Sequence, residues 1–292
     1  MRQLVQRKRY DYIVVRYLRT AIMANVFHLR NLVVDVDDLS EEVLRAYADQ
    51  PNLPLLKSLY RRFLVWRARF HTGQILSRVH HSFFSNSNQA LFLNSSHLPN
   101  IPFPRTTDAP VVKMRARQHI VLFVGFLGYK PNYLGVDHFI RHVWPEASDG
   151  VEEAVFRVIG KGLPQEYERR WARVRGVEVV GYVDDIEWEY FNAEAVVAPI
   201  YHGGGTNIKV LEAMSKSKAC VMSAFARRGL EDAVSDGWNS LVATNDAIFI
   251  EKLRSVLTDR DLRARIESNA AKCVKAAYSF ERFAEDVYKA LD

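Results

Sequence analysis

From His119 onward, short apolar runs alternate with helix-patterned segments, and this alternation constrains the fold more than any other feature of the chain. The runs are His119–Gly125, Phe156–Ile159, Val177–Val183, Ala195–Ile200, Cys220–Ser223 and Ser240–Ala243. Between them lie predicted helices at 134–143, 166–174 and 187–191, the last capped by Asp184 and Asp185, and a further helix opening at Thr206. Strands of four to eight residues separated by helices must run parallel, because each crossover returns the chain to the same end of the sheet. The pattern predicts a doubly wound α/β sheet with helices on both faces. Ligands of such sheets bind beyond the carboxyl ends of the strands. The loops Gly125–Asn132, Gly160–Gly162, Gly181–Asp185 and His202–Asn207 are therefore expected to open onto one edge. None carries the GxGxxG fingerprint, and no acid follows at the spacing a nicotinamide dinucleotide requires. The final helices, Asp246–Leu257, Asp261–Ala277 and Phe280–Leu291, are amphipathic and are assigned packing roles.

The segment with the most chemistry is VVAPIYHGGGTNIKVLEAM, from Val196 to Met214. It reads as strand, glycine loop, helix. Gly203, Gly204 and Gly205 let a ligand approach the backbone, and the free N–H groups of a first helical turn attract anions. Lys209 adds a cation, and Glu212, three residues on, shares its helix face. Donors, a positive charge and a carboxylate on one face suit a ligand carrying phosphates and a sugar diol. The alternative is an ordinary glycine loop before a helix.

Upstream, Tyr10–Tyr17 and Asn31–Asp38 read as strands flanking a helix over 20–29, a further βαβ unit. The second strand ends in Asp35, Asp37 and Asp38, followed by Ser40, Glu41 and Glu42. This pattern points to strand-end and N-cap roles, with a metal site or a phosphatase-like nucleophile as the alternative. Leu55–Gln74 is predicted to be a long helix with Leu56, Leu59, Phe63, Trp66 and Phe70 at helical spacing and Lys57, Arg61, Arg62, Arg67 and Arg69 among them. Packing of this stripe on the sheet is the favoured reading, and contact with an anionic membrane the other. His80–Ser87 is another strand, and 94–96 are turn formers. Four prolines in Leu98–Pro110 mark a domain boundary.

Residues 1–110 hold 15 Lys/Arg against 8 Asp/Glu, whereas 111–292 hold 25 against 26. The basic character thus belongs to the first third, where it could serve nucleic acid, an anionic membrane or an anionic substrate. No nucleic-acid recognition motif accompanies it. Cys220 and Cys273 lack metal-ligand spacing and read as reduced packing residues of a reducing compartment. No run reaches the roughly 20 apolar residues of a membrane span, and the basic N-terminus leads straight into a strand, unlike a secretory signal.

Taken together, FVGFLGYKPN, VEVVGYVDDI, VVAPIYHGGGTNIKVLEAM and GLEDAVSDGWNSLVA resemble the donor-binding domain of retaining GT-B glycosyltransferases, the glycosyl transferases group one, or family four. The resemblance extends over about 119–291. The pieces YDYIVVRYLR, LVVDVDDLSEEVLR, FFSNSNQ and LPNIPF resemble the last part of that family's N-terminal domain. It implies two Rossmann-like domains facing across a cleft, the N-terminal one incomplete: 1–104 on the acceptor side, a linker over 105–118, and a donor-binding domain over 119–292. It implies transfer of a sugar, with retention, from a nucleotide-diphosphate sugar to a saccharide or lipid-linked acceptor, without metal or other cofactor. The reducing compartment read from the cysteines points to the cytoplasm, and the alternative reading of the basic helix adds peripheral contact at the inner membrane face through 55–74.

For residues, the resemblance assigns the donor diphosphate to Gly203, Gly204, Gly205, Thr206, Asn207, Lys209 and Lys130. It assigns the ribose to Glu212, which matches the second glutamate of the family's paired motif, and the base to Gly181, Tyr182 and Val183. Two departures stand out. The first glutamate of that motif falls on Gly204, which alters recognition of the donor sugar. The first βα units of the N-terminal domain are missing, and the histidine of many relatives aligns near Asp37 or Asp38, the only catalytic candidates. The missing units suggest an alternative, a non-catalytic nucleotide-sugar-binding or partner subunit, with a homo-oligomer contact or a second chain covering the open sheet edge.

Overall fold

The computed structural model describes residues 10–37, 39, 54–89, 92–102 and 119–292. Asp38, Ser40, Glu41, Glu42 and the linker 105–118 lie outside the described residues. The chain forms two units: Met1–Asn100 with Gly203–Thr206 and Phe280–Asp292, and Ile101–His202 with Asn207–Ser279.

The first unit contains a four-stranded parallel sheet in the order β1 (Ile13–Arg16), β2 (Leu32–Asp37), β3 (His81–Phe84), β4 (Ser95–His97). Helix α1 (Leu18–Ala24) connects β1 to β2 and ends at Asn25, whose left-handed φ of 49° stops it before the predicted Leu29. Leu32, Val34, Val36, Leu76, Val79 and Phe84 are buried together on one face of this sheet. On the other, Val33, Phe83 and Leu98 meet Phe283, Val287, Ala290 and Leu291 of the last helix, α10 (Phe280–Leu291). The alternation of β2 side chains between these clusters is the period of a strand covered on both faces. The sequence assigns α10 to residues 119–292; its apolar stripe groups it with the first unit.

Two features of this unit depart from expectation. Residues 94–96, read as a turn, contain the start of β4: Ser95, Ser96 and His97 pair in register with Ser82, Phe83 and Phe84. The strand is polar, and a Ser96–His81 hydrogen bond of 2.8 Å helps to hold it. Helix α2 (Leu55–Leu76) does not lay its aromatic stripe on the sheet. Leu56, Leu59, Phe63, Trp66 and Phe70 are all exposed, and Leu76 is the buried residue of the helix.

The second unit holds a six-stranded parallel sheet in the order β10–β9–β8–β5–β6–β7. Its strands are β5 (His119–Val124), β6 (Ala154–Ile159), β7 (Val177–Gly181), β8 (Ala193–Ala198), β9 (Ala219–Ser223) and β10 (Leu241–Ala243). Connecting helices are α3 (Lys130–His142), α4 (Trp144–Ala147), α5 (Gln165–Trp171), α6 (Ile186–Asn192), α7 (Ile208–Ser215), α8 (Asp246–Thr258) and α9 (Arg260–Ala277). Val121, Leu122 and Phe123 of β5 and Ala195, Val196 and Val197 of β8 are almost wholly buried, because helices cover both faces.

Polar groups fix the helices. The side chains of Asp185, Asn245 and Asp259 cap α6, α8 and α9. Buried Asp137 accepts from Trp171 Nε1 at 2.9 Å and pairs with Arg141 and Arg170, tying α3 to α5. The chain leaves β5 toward β6 on one side, whereas β8 lies on the other, so the strand order reverses between β5 and β8. Beyond the carboxyl ends of those two strands is where a doubly wound sheet holds its ligand.

Candidate functional site

The loop after β5 and the helix after β8 supply the polar groups at this switch point. Helix α3 begins at Lys130, earlier than the predicted Leu134, because Pro131 fits the first helical turn. Asn132 follows it and is buried, donating through Nδ2 to the Phe126 carbonyl at 2.8 Å. Gly135 lets α3 approach β8, since a Cβ there would lie 2.0 Å from the Pro199 carbonyl oxygen. Gly160 and Gly125 pack similarly; a Cβ on Gly160 would lie 1.8 Å from the Gly125 carbonyl oxygen.

From the β8 side, α7 starts at Ile208 with Asn207 as its N-cap, two residues after Thr206. Lys209 Nζ donates to Asn132 Oδ1 at 3.1 Å and to Asn207 Oδ1 at 3.4 Å, and lies 5.8 Å from the centre of the Phe123 ring. Asn207 also donates through Nδ2 to the Ala226 carbonyl at 3.2 Å. A Cβ on Gly125 would stand 3.3 Å from both Lys209 Cε and Asn132 Nδ2, so that glycine leaves room for the lysine stem. Neutral acceptors hold the ammonium, and burial lowers its pKa to about 8, against the pull of the Glu212 charge. It remains largely protonated at pH 7, and among the described residues no carboxylate pairs with it directly.

Glu212, one turn along α7, is half-buried. Burial raises its carboxyl pKa, opposed by the charges of Lys216 and Lys209. Burial, followed by the Glu212 charge, pushes the Tyr190 phenol of α6 well above its ordinary value. Cys220 of β9, fully buried, is pushed up to about 12 by burial despite the Lys209 charge. Lys216 pairs with Glu187, linking the far end of α7 to α6.

The structure thus brings Lys209, Asn207 and Glu212 together on α7 and joins them to Asn132 and Tyr190, which the sequence reading missed. The signal for Asn132 is the polar residue after Lys130-Pro131 at a helix start; for Tyr190 there is none beyond an aromatic at helical spacing. Lys130 is exposed at the start of α3, and its charge, after burial, lowers the His202 pKa. Gly181 ends β7 with φ 76°, Tyr182 is exposed, and Lys161 lies 3.7 Å above the Tyr182 ring. Val183 follows, half-buried.

Gly203, Gly204, Gly205 and Thr206 group with the first unit. Gly203 and Gly205 have φ of 128° and 90°, conformations that side-chain-bearing residues rarely adopt, and Thr206 Oγ1 lies 3.3 Å from Ser85 Oγ. Asp37 ends β2 at φ 61°, beyond a register shift. Its carboxylate accepts from Asn100 Nδ2 at 2.8 Å, and its carbonyl accepts from Ser85 Oγ at 2.9 Å. That is the bonding expected of a strand-end aspartate.

Comparison with known proteins places this arrangement. Residues 118–259 match the family model described as glycosyl transferases group 1. Among solved structures, an S. aureus TarM variant with UDP, fondaparinux and alpha-GlcNAc-glycerol is 15% identical with a TM-score of 0.73, covering 99% of this chain and 58% of that one. Sucrose-phosphate synthase from Thermosynechococcus elongatus is 16% identical with a TM-score of 0.72, over 99% and 74%. Anabaena Alr3699/HepE, with UDP and glucose, is 15% identical with a TM-score of 0.69, over 99% and 80%. At these identities the likeness is one of fold. A curated protein, nuclear hormone receptor family member nhr-31 of Caenorhabditis elegans, is 26% identical over 155 residues, 49% of this chain and 27% of its own. The chain spans about a quarter of that relative and 58% of the TarM chain. It has the two-sheet α/β architecture of the GT-B fold with a smaller N-terminal sheet, and its residues 118–259 match the family model of the glycosyl transferases group 1.

Proposed function

We propose that the chain is a retaining glycosyltransferase that takes its sugar from a nucleotide-diphosphate donor and passes it to a saccharide or lipid-linked acceptor. The observation that carries this reading is the Lys209 ammonium, held by Asn132 and Asn207 at the β5/β8 switch point with no carboxylate of the described residues in contact. A desolvated cation held by neutral acceptors is preorganised for negative charge, which develops on the diphosphate as the glycosidic bond breaks. Lys130 supplies a second cation, and Gly203–Thr206 with Asn207 supply backbone N–H donors to the phosphates. Glu212 accepts from the ribose hydroxyls, and Gly181, Tyr182 and Val183 hold the base. On this reading 119–292 supply the donor side, apart from α10, which packs on the first unit, with 105–118 a linker, 1–104 the acceptor side, and Asp37 and Asp38 the catalytic candidates. No metal or cofactor takes part, and the reaction belongs to the cytoplasm.

Support also comes from proteins of the same fold whose crystal structures hold UDP, UDP with glucose, or UDP-glucose. The test is to incubate the chain with UDP-, GDP- and ADP-sugars and simple glycoside acceptors, following diphosphate release and the anomeric configuration by NMR. Release with a retained configuration is expected; inversion, or binding without release from any donor, overturns the catalytic reading. Binding without release is the result favoured by the alternative, a nucleotide-sugar-binding or partner subunit. One observation speaks for that alternative: Gly204 stands where the family resemblance places the sugar-reading glutamate.

A further inference from the structure

We propose that the outward face of α2 rests on an anionic phospholipid bilayer. At 100° per residue, Leu55, Leu56, Leu59, Phe63, Trp66 and Phe70 fall within one sector about 100° wide. That sector faces away from the first unit: Leu56 is 82% exposed, Phe63 51%, Trp66 62% and Phe70 52%. The rings are already arrayed, with Phe63 and Trp66 centred 5.9 Å apart and Trp66 stacked on Phe70 at 5.9 Å. Monomeric proteins rarely expose a contiguous apolar patch of this kind without a partner for it.

Charge selects the partner. The helix contains no Asp or Glu from Leu55 to Leu76, whereas exposed Arg62, Arg67 and Arg69 flank the apolar sector. Arg62 and Arg69 border it on one side and Arg67 on the other, so their stems can follow the hydrocarbon while their guanidinium groups reach the phosphates. Trp66 and Tyr60 add rings suited to the headgroup level. A second copy of this face would bring arginine against arginine with no carboxylate on the helix to neutralise them. The helix is not a span: no helix among the described residues is long and apolar enough to cross a membrane. The geometry is that of an element lying in the interface plane. The assignment is independent of the glycosyltransferase reading, because it uses none of the α7 residues.

The test is co-sedimentation of the full chain with vesicles of phosphatidylcholine alone or mixed with phosphatidylglycerol. Binding to the mixed vesicles alone is expected, weakening as salt rises. Trp66 is one of five tryptophans, so the difference between wild type and W66F isolates its signal. Brominated lipid should quench the wild type more than W66F. Arg67→Gln with Arg69→Gln should weaken partitioning roughly 10- to 30-fold, and Phe63→Ser should weaken it further. These side chains are exposed, so circular dichroism should be unchanged; the quenching result stands on the wild type alone should a variant misfold. No sedimentation with anionic vesicles, binding undiminished in the double arginine variant, or a dimer in light scattering that Phe63→Ser abolishes would each overturn the proposal.

Discussion

Among single residues, Lys209 stands out because burial has made it less basic than usual. Lys209's folded pKa of about 8 lies below its ordinary 10.5. The unfolded chain therefore binds the extra proton between those values, and this group's contribution to stability rises with pH across that window. A diphosphate held against the ammonium favours its charged form. Nucleoside diphosphate binding should then take up a proton near pH 8 to 9 and weaken as pH climbs, which calorimetry in buffers of different ionisation enthalpy would show. Lys209→Met should abolish the proton uptake and lower affinity about 10- to 100-fold without lowering stability. Glu212 has the opposite sign of charge and a raised pKa. Its ionisation burdens the fold above its ordinary carboxylate range and is relieved as pH falls through the folded value. Glu212→Gln should leave the melting temperature unchanged or higher, yet weaken nucleotide binding about tenfold, a loss that a 2′,3′-dideoxy nucleotide would not suffer.

At the scale of the element, close approaches decide where the site can be. Helix α3 reaches β8 only because residue 135 is glycine. Gly135→Ala places a methyl 2.0 Å from the Pro199 carbonyl oxygen and should cost about 3 kcal/mol in urea unfolding, with nucleotide binding weakened as Asn132 moves. Helix α10 covers Val33, Phe83 and Leu98, so Phe283→Ala should loosen β2 and β3 selectively, visible as faster hydrogen exchange at their amides. The stripe of α2 shows what periodicity leaves open. Phe63, Trp66 and Phe70 at helical spacing announce an apolar face, but the same spacing serves a face turned to the sheet or away from it. Here the interspersed arginines carried the better information, since a stripe flanked by cations is costly to bury against protein.

At the scale of the whole molecule, the parallel sheet of the second unit was legible because each strand is a nearly unbroken apolar run between helices. The same pattern pointed to the carboxyl ends of the strands, β5 and β8 included, as the expected ligand edge, and the glycine loop drew attention to Lys209 and Glu212. Asn132 was not legible: a buried amide at a helix start looks like any loop asparagine until its bonds to the Phe126 carbonyl and Lys209 are seen. Strand β4 was hidden because Ser95, Ser96 and His97 have turn-like composition and are held as a strand by pairing with β3. On the proposed reading, the β5/β8 switch point binds a nucleoside diphosphate. That binding is tested most directly by thermal unfolding of the wild type, Lys209→Met and Glu212→Gln with UDP, GDP and ADP in turn. One nucleotide should raise the wild-type midpoint, and both variants should blunt the rise. No shift with any nucleotide at millimolar concentration, or equal shifts in all three proteins, would contradict that reading.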